Sequence, residues 1–468
     1  GRKLRRGDSM NRKVMAAAIA AAFAAPAAYA QTTVTIGGTI NIMWDSVKAT
    51  GGTRTNNAGD MYSHDRVRDG AGSNIRFTVN EDLGGGNTAF VQVESAVIQN
   101  SDQRNNALGA TAFASTNPNA VSVWGNRNTG IGLRSKTFGR VLIGLWDLHY
   151  DEMYGIESGW LIANSSSSAL AVWNTFGSAF SLNPTVGARY ANVIRWDSPN
   201  WSGFSMTIGY ARPTDPAPSN TTQTGVPAGT ESVIEGKKNR AWHLAARYET
   251  GGLQVRYAYL RDRDIPNVAT LSFGALQAAG LVATSLHRVT SHRLGARYRF
   301  AMGLGIGFVY DWSKWNATFD AAAGAIAART TAGAPIDVKR RSWAIPVTYE
   351  TGNHGFYGTY GRARDWKGSF GGLDVSDTAA GGVNAAINAL GGMPAGAAFS
   401  LANDTGARFF TLGYTYRFSP RTNVHLSYNR INNDALARYD FFANTSGTAA
   451  GNFGADPRSW AIGLRHTF

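Results

Sequence analysis

Arginines supply the most concentrated chemistry in this sequence. Arg76, Arg189, Arg195, Arg247, Arg256, Arg293, Arg297, Arg299, Arg417 and Arg465 sit in segments that alternate apolar and polar residues, each on the polar side of its segment. A guanidinium stays charged at any physiological pH. A wall that carries many of them on one face, backed by apolar material, focuses a field that gathers anions. Asp311 is the one clear acid on the same face of these segments. An arginine close to a turn would instead be solvated and inert.

A second cluster has the opposite sign. Asp147-Leu148-His149-Tyr150-Asp151-Glu152-Met153-Tyr154-Gly155-Ile156-Glu157 holds four acids and several apolar anchors within eleven residues. Such a loop suits folding back against a wall, with the apolar residues docked and the acids facing water. Acids held opposite arginines across a narrow gap set up a transverse field, and charges at close quarters are how a passage sorts ions. The plainer alternative is an outward surface loop whose acids are merely solvated. The residues alone leave both readings open.

Motifs for other chemistry are missing. The eight histidines (His64, His149, His243, His287, His292, His354, His425 and His466) form no His-Glu-x-x-His pair, and there is no Gly-x-Ser-x-Gly elbow or P-loop. His149 beside Asp147 and Asp151 mimics a base with an orienting acid, but no serine accompanies it. Gly303, Gly305 and Gly307 belong to strand alternation, since no helix follows them. The absence of Cys rules out a disulfide frame, a thiolate zinc site and a cysteine nucleophile. An enzyme, a cofactor, a metal site and a nucleic-acid interface are therefore not expected.

What must position the arginines is legible in the pattern around them. The chain has 468 residues, 43% hydrophobic and only 16% charged, with 55 Gly, 13 Trp, 18 Tyr and 22 Phe. Disorder is a poor fit to that composition, and many strands with tight turns are a good one. Met10 to Lys13 is a basic start, Val14 to Ala27 an apolar run, and Ala28-Tyr29-Ala30 a small-x-small cleavage site. Residues 10–30 thus read as an export signal, residues 1–9 as an upstream extension, and 31–468 as the mature chain. A membrane anchor is the alternative, but the run is short, Ala-rich and carries Pro26. Setting aside residues 1–30 removes six basic residues and Asp8 from totals of 45 and 31, leaving 39 basic and 30 acidic, a net charge of +9.

No later apolar run is long enough for a transmembrane helix. Period-2 alternation runs along the chain instead, as in Leu304, Ile306, Phe308, Tyr310 and Trp312, or Phe410, Leu412, Tyr414, Tyr416 and Phe418. Such strands have one apolar and one polar face. Seven connections are tight: 83–86, 135–139, 198–203, 249–252, 301–303, 350–355 and 419–422. Eight long polar stretches alternate strictly with them, around 47–71, 98–120, 147–184, 212–239, 263–288, 315–338, 365–405 and 432–457. Fifteen connections of two sorted lengths predict a 16-stranded antiparallel transmembrane β-barrel, with short periplasmic turns, long outer loops and apolar faces turned to lipid. A soluble sandwich has no reason to sort its loops by length. Trp242 with Tyr248, Tyr298 with Phe300, and Trp343 with Tyr349 stand near the ends of outward faces, as membrane-interface aromatics do. A barrel this wide encloses water.

Several segments together resemble general diffusion porins of Gram-negative, especially proteobacterial, outer membranes. They are Ser73 to Gly86, Arg127 to Gly144, Arg189 to Phe204, Thr411 to Asn433 and the terminal Ala461 to Phe468. The resemblance covers the mature chain in family order. It implies a homotrimer of sixteen-stranded barrels in the outer membrane, in contact with lipid and lipopolysaccharide, each with its third loop inserted as an eyelet. It implies passive diffusion of small hydrophilic solutes and ions, with a modest anion preference from the basic excess. It places Asp147, Asp151, Glu152 and Glu157 in that loop, with Arg127 and Arg189 on the facing basic wall, where alternation also puts Arg76 and Arg195. Asn74 and Leu145 stand where the family commonly has arginines. The alternative is a non-conducting barrel that serves as an adhesin or surface receptor.

The C-terminus adds one more element. Trp460, Ile462, Leu464 and Phe468 lead to a terminal aromatic, which resembles the signal read by the outer-membrane assembly machinery. The same strand must also close the barrel against Thr32 to Val47, because an open edge in lipid leaves backbone groups unpaired. Deleting Phe468 is expected to lower the folded outer-membrane population while export to the periplasm continues. Heat-modifiable gel migration reads this, and unchanged folded protein would refute it.

Overall fold

Alternation of apolar and polar residues becomes sixteen antiparallel strands in the computed structural model, and these close on themselves. The structure describes residues 32–52, 62–70, 72–97, 124–157, 165–174, 176, 186–212, 240–263, 281–322, 335–370, 373–374, 401–441 and 453–468. The expected export signal lies outside them, as do most residues of several long connections. Strand β1 is Thr32–Thr50, and β2 runs in two segments, Tyr62–Asp69 and Asn74–Gly84, both paired with β1. Then come β3 (Asn87–Ala96), β4 (Thr129–Ser135), β5 (Gly139–Leu148), β6 (Ala188–Asp197) and β7 (Phe204–Ala211). They are followed by β8 (Arg240–Thr250), β9 (Leu253–Arg263), β10 (Leu281–Arg299), β11 (Leu304–Ala322) and β12 (Pro335–Thr351). The circuit ends with β13 (His354–Ala363), β14 (Ala407–Arg417), β15 (Thr422–Asn433) and β16 (Asp456–Thr467). A small hairpin at Lys367–Phe370 and Leu373–Asp374 extends β12 on the long-connection side.

Each strand pairs with its sequence neighbour, and β16 pairs with β1 from Thr39↔Thr467 to Thr50↔Asp456. Two backbone bonds between Gly38 and Phe468, at 3.2 and 3.1 Å, complete the seam. All backbone donors along the seam thus find partners without water, which is what lipid demands. The seven expected tight turns coincide with the observed ones between paired strands. The break in β2 is local chemistry. The Asp69 carboxylate accepts from the Ser73 amide and hydroxyl, while Ser73 Oγ accepts from the Asn41 amide at 2.9 Å.

The two faces separate as alternation requires. Val34, Ile36, Ile131, Ile143, Leu412, Ile462 and Leu464 are exposed on the outer face, as are Trp242, Tyr248, Tyr298 and Phe300 near its edges. The inner face carries Asn41, Asp45, Arg195, Arg293, Asp311 and Arg340, all buried. The inner wall is therefore polar, and the outward apolar surface is the one lipid covers.

Short turns rely on glycine where the backbone is left-handed. Gly303 has φ of 90°, and a Cβ there would come within 2.1 Å of the Glu350 carbonyl oxygen on the neighbouring strand. Gly303→Val should destabilise the barrel by roughly 1–3 kcal/mol through forced backbone strain. A lowered midpoint of urea unfolding for the purified folded protein is the expected readout, and an unchanged midpoint would contradict it.

Candidate constriction and its loop

The chain turns inward directly after β5. His149 adopts a left-handed conformation, with φ of 75°, and the loop returns beside it at Gly187, also left-handed at φ 87°. A side chain at Gly187 would collide with the Tyr150 amide at 2.8 Å, so entry and exit of the loop pack as one neck. Between them, Met153, Ile156 and Ala169–Trp173 form a buried apolar cluster with inward residues of seven strands. Those wall residues are small where the loop lies: Ala245, Ala258, Ala344, Ala363 and Ala407. Gly295 goes further, because a Cβ there would meet Met153 Sδ at 2.6 Å. The loop is seated inside the barrel, and burying each large apolar side chain stabilises that seat by roughly 1.5–3 kcal/mol.

Polar contacts then fix its height. Arg293 donates to the backbone carbonyls of His149 at 3.2 Å, Trp173 at 3.2 Å and Val186 at 3.0 Å. Its Nε binds Asp311 at 2.8 Å, and Arg340 binds the other oxygen of Asp311 at 2.7 Å while also donating to the Trp173 carbonyl. Ser342 donates to the Val172 carbonyl at 2.7 Å, and His149 Nε2 contacts Ser291 Oγ at 2.9 Å. Burial, then the nearby Arg293 charge, pushes the His149 imidazole well below its ordinary value, so it stays neutral. Inside the loop, Glu157 accepts from the Ala169 amide at 2.7 Å and from Ser168 Oγ at 3.2 Å, capping a short 3₁₀ turn at Ala169–Val172.

The expected acids and arginines are distributed differently from a simple face-off. Asp147 belongs to β5 rather than to the loop, and its ladder neighbour on β6 is Arg189. The two form an ion pair at 2.9 Å along one wall, so Arg189 does not stand opposite Asp147 across a gap. Glu157 is buried in the loop's own cap. Glu152 is buried between His243 at 3.1 Å and Arg247, whose Nε lies 3.0 Å away. Burial opposes its charge, but the His243 hydrogen bond and then Arg247 hold it below the usual carboxylate range. Asp151 differs from the rest: it is partly exposed, and one of its carboxylate oxygens is sealed without a hydrogen-bond partner. Burial, followed by Glu152 and Asp147, pushes it up to about 7.

On the wall, Arg195 pairs with Asp197 at 2.9 Å and donates to the Asp147 carbonyl at 2.8 Å. Arg127 pairs with Glu94 at 2.5 Å. Arg76 lies across the ladder from Glu94 and Gly37, is exposed, and forms no ion pair among the described residues. Alternation alone missed much of this set. Four carboxylates are each shared by two arginines: Asp45 by Arg66 and Arg68, Asp197 by Arg140 and Arg195, Asp311 by Arg293 and Arg340, Glu350 by Arg299 and Arg417. Arg340 was hidden because Lys339 and Arg341 flank it, so three cations in a row obscure which one turns inward.

A closed sixteen-stranded barrel with an inserted loop and a charged inner wall is the architecture of a porin. A family model of Gram-negative porins matches residues 16–436, and the chain belongs to that family. An outer membrane porin protein of Bordetella pertussis is 26% identical over 469 residues, covering 98% of this chain and all of the relative. The major outer membrane protein P.IA of Neisseria meningitidis is 28% identical over 245 residues, 48% of this chain and 53% of that one. An anion-selective porin from Comamonas acidovorans shares the fold with a TM-score of 0.54 at 17% identity, covering 94% of this chain and all of the other. The protein is an outer-membrane β-barrel channel.

Removing one partner of a buried ion pair leaves an uncompensated charge and costs roughly 3–5 kcal/mol. Arg293→Ala also strips the loop of three carbonyl contacts. The variant is expected to lower the unfolding midpoint and to make single-channel current noisier. A quiet channel with wild-type stability would show that Arg293 does not hold the loop.

Proposed function

We propose that this porin passes small hydrophilic solutes and ions by passive diffusion, with a modest preference for anions. The observation that carries the reading is the sharing of Asp197, Asp311 and Glu350 by two arginines each, which leaves each of these three groups one positive charge in excess. Arg76 adds a cation with no acid partner among the described residues, and Asp151 is the acid least compensated in the loop. In this reading Arg76, Arg127, Arg189 and Arg195 form the basic side of the constriction. Asp147 and Glu152 hold that side and the loop in place, Glu157 keeps the loop's shape, and Asp151 supplies the opposing charge. The anion-selective Comamonas acidovorans porin of like fold supports the direction of the preference. Assembly as a homotrimer is proposed from the trimer form of an outer membrane protein of Vibrio cholerae of like fold, at TM-score 0.51. Phe468 is proposed as the residue that the assembly machinery reads.

Reversal potential in a KCl gradient across a planar bilayer tests this. Wild type should reverse on the anion side of zero, less so at high salt, because charges are screened over about 10 Å at 0.1 M. Arg76→Glu with Arg127→Glu should move the potential toward cations. Lowering the pH from 8 to 6 should move it toward anions, because Asp151, ionised above about 7, loses its charge as the pH falls; Asp151→Asn should abolish that pH response. A wild-type channel that prefers K⁺ would overturn the anion reading.

A further inference from the structure

One guanidinium inside the barrel is bonded through a single nitrogen. Arg340 of β12 is buried, and its Nη2 makes every bond it has: to the Trp173 carbonyl at 2.6 Å, to Asp311 at 2.7 Å and to Ser313 Oγ at 3.4 Å. Its Nε and Nη1 are sealed from solvent with no hydrogen-bond partner among the described residues. The Phe176 ring lies 4.9 Å from the guanidinium carbon, which shields the cation but gives those nitrogens no lone pair. Buried donors of a charged group are the most costly to leave unmet, so an acceptor belongs there.

The neighbours of Arg340 supply more donors. The Trp173 indole Nε1 and the Tyr439 hydroxyl are fully buried and likewise without a partner among the described residues. Trp173 carries the carbonyl that Arg340 binds, Tyr439 acts electrostatically on Arg340, and both aromatic residues belong to one packed cluster. Strand β12, the inserted loop and the connection after β15 thus bring guanidinium, indole and phenol donors into one closed region. Acceptors nearby are already engaged. Asp311 accepts from Arg293, Ser291 and Ser313 as well as Arg340. Asp365 and Asp434 also act on Tyr439, but both are half-buried, and Asp365 accepts from the Thr405 and Gly406 amides. Charge points the same way, since Arg293 and Arg340 set two positive charges against the one of Asp311.

We propose that Arg340, Tyr439 and Trp173 hold one small monovalent anion, a halide such as chloride, sealed between the inserted loop and the connection after β15. Water is the poorer occupant. It leaves the excess charge uncompensated, and its two lone pairs cannot accept from all of these donors. A spherical anion accepts from every side. A divalent oxyanion would overcompensate a single excess charge, and it needs room that the fully buried Trp173, Phe176 and Tyr439 take up. Every group that would hold the ion is buried, so it is a structural ion that ties the last long connection to the loop. It is distinct from the anions that diffuse through the channel, and the inference does not rest on the selectivity proposed above.

The test uses the folded full-length protein in a non-ionic detergent, unfolded by urea in sodium chloride, sodium bromide or sodium gluconate at one ionic strength. Crystals grown in bromide locate the ion by anomalous diffraction. Wild type should unfold at higher urea in either halide than in gluconate, and the gain should grow with halide concentration as a bound ligand requires. The bromide peak should touch Arg340 Nε or Nη1. Tyr439→Phe removes one donor and no charge, and should raise the halide concentration for half-maximal stabilisation roughly tenfold. Arg340→Met should abolish the halide dependence, and Tyr439→Phe decides alone if that variant folds poorly. Arg421→Gln, at an exposed short turn, should keep the wild-type dependence. Equal wild-type stability in the three salts would overturn the proposal. So would the same half-saturation in wild type and Tyr439→Phe, which puts the halide elsewhere, or ordered water without bromide at Arg340, which makes this a hydrated guanidinium. A wild-type channel that prefers K⁺ would sink the selectivity reading and leave this site standing.

Discussion

Asp311 sits with no solvent exposure between the guanidiniums of Arg293 and Arg340, and the interior of the barrel is arranged around that fact. A carboxylate so deep is tolerable only because two cations and two serines surround it. Having neutralised one acid, the two arginines retain donors that point into the lumen. The carbonyls of His149, Trp173 and Val186 accept from Arg293, and that of Trp173 also from one nitrogen of Arg340, whose other two stay buried without a hydrogen-bond partner among the described residues. Loop and wall therefore depend on each other. The loop supplies carbonyls to Arg293 and to one donor of Arg340, and the guanidiniums fix a loop that has no ladder of its own.

The same economy shapes the wall beneath. A barrel of uniformly large inward residues would have no room for an inserted segment, and here the room comes from alanine and glycine on consecutive strands. Gly295, Gly209 and Gly361 each lie where a side chain would touch Met153, Leu148 or Val172. Packing of this kind positions the loop within ångströms, because apolar interiors tolerate neither overlap nor voids. The charged face that remains uncovered is then the working surface of the channel.

The barrel was legible because its signals are local. Period-2 alternation, tight turns such as 301–303 and the sorting of connections by length can all be read within a few residues of one another, and they located strands and turns well. The inner wall was only half legible. Arginine parity found Arg195, Arg247 and Arg293, but Arg247 and Arg293 find their partners on the loop and on another strand, and no local pattern couples Asp197 to Arg140 or Glu152 to His243. Asp147 looked like a loop acid because it opens an acidic run, yet the ladder claims it for β5 opposite Arg189. Glu157 looked like a pore charge because two of its partners, Ser168 and the Ala169 amide, are eleven and twelve residues away in a stretch without charge. Small residues along inward faces were the available clue to where the loop would sit. Glycine in a strand is usually put down to weak propensity rather than to a neighbour in waiting.

The seam between β1 and β16 has a consequence for how such a chain reaches its native state. Thr39 meets Thr467 across 428 residues of sequence, close to the largest separation the chain allows. Closing a loop of that length costs about 3 kcal/mol more conformational entropy than closing a twenty-residue one. Until Asp456–Thr467 arrives, the seam-side edge of β1 presents a row of unpaired amides and carbonyls, which is a template for pairing with any other extended chain. High contact order of this kind makes folding slow. The first strand emerging from export must therefore be kept from premature partners for as long as it takes the last one to follow.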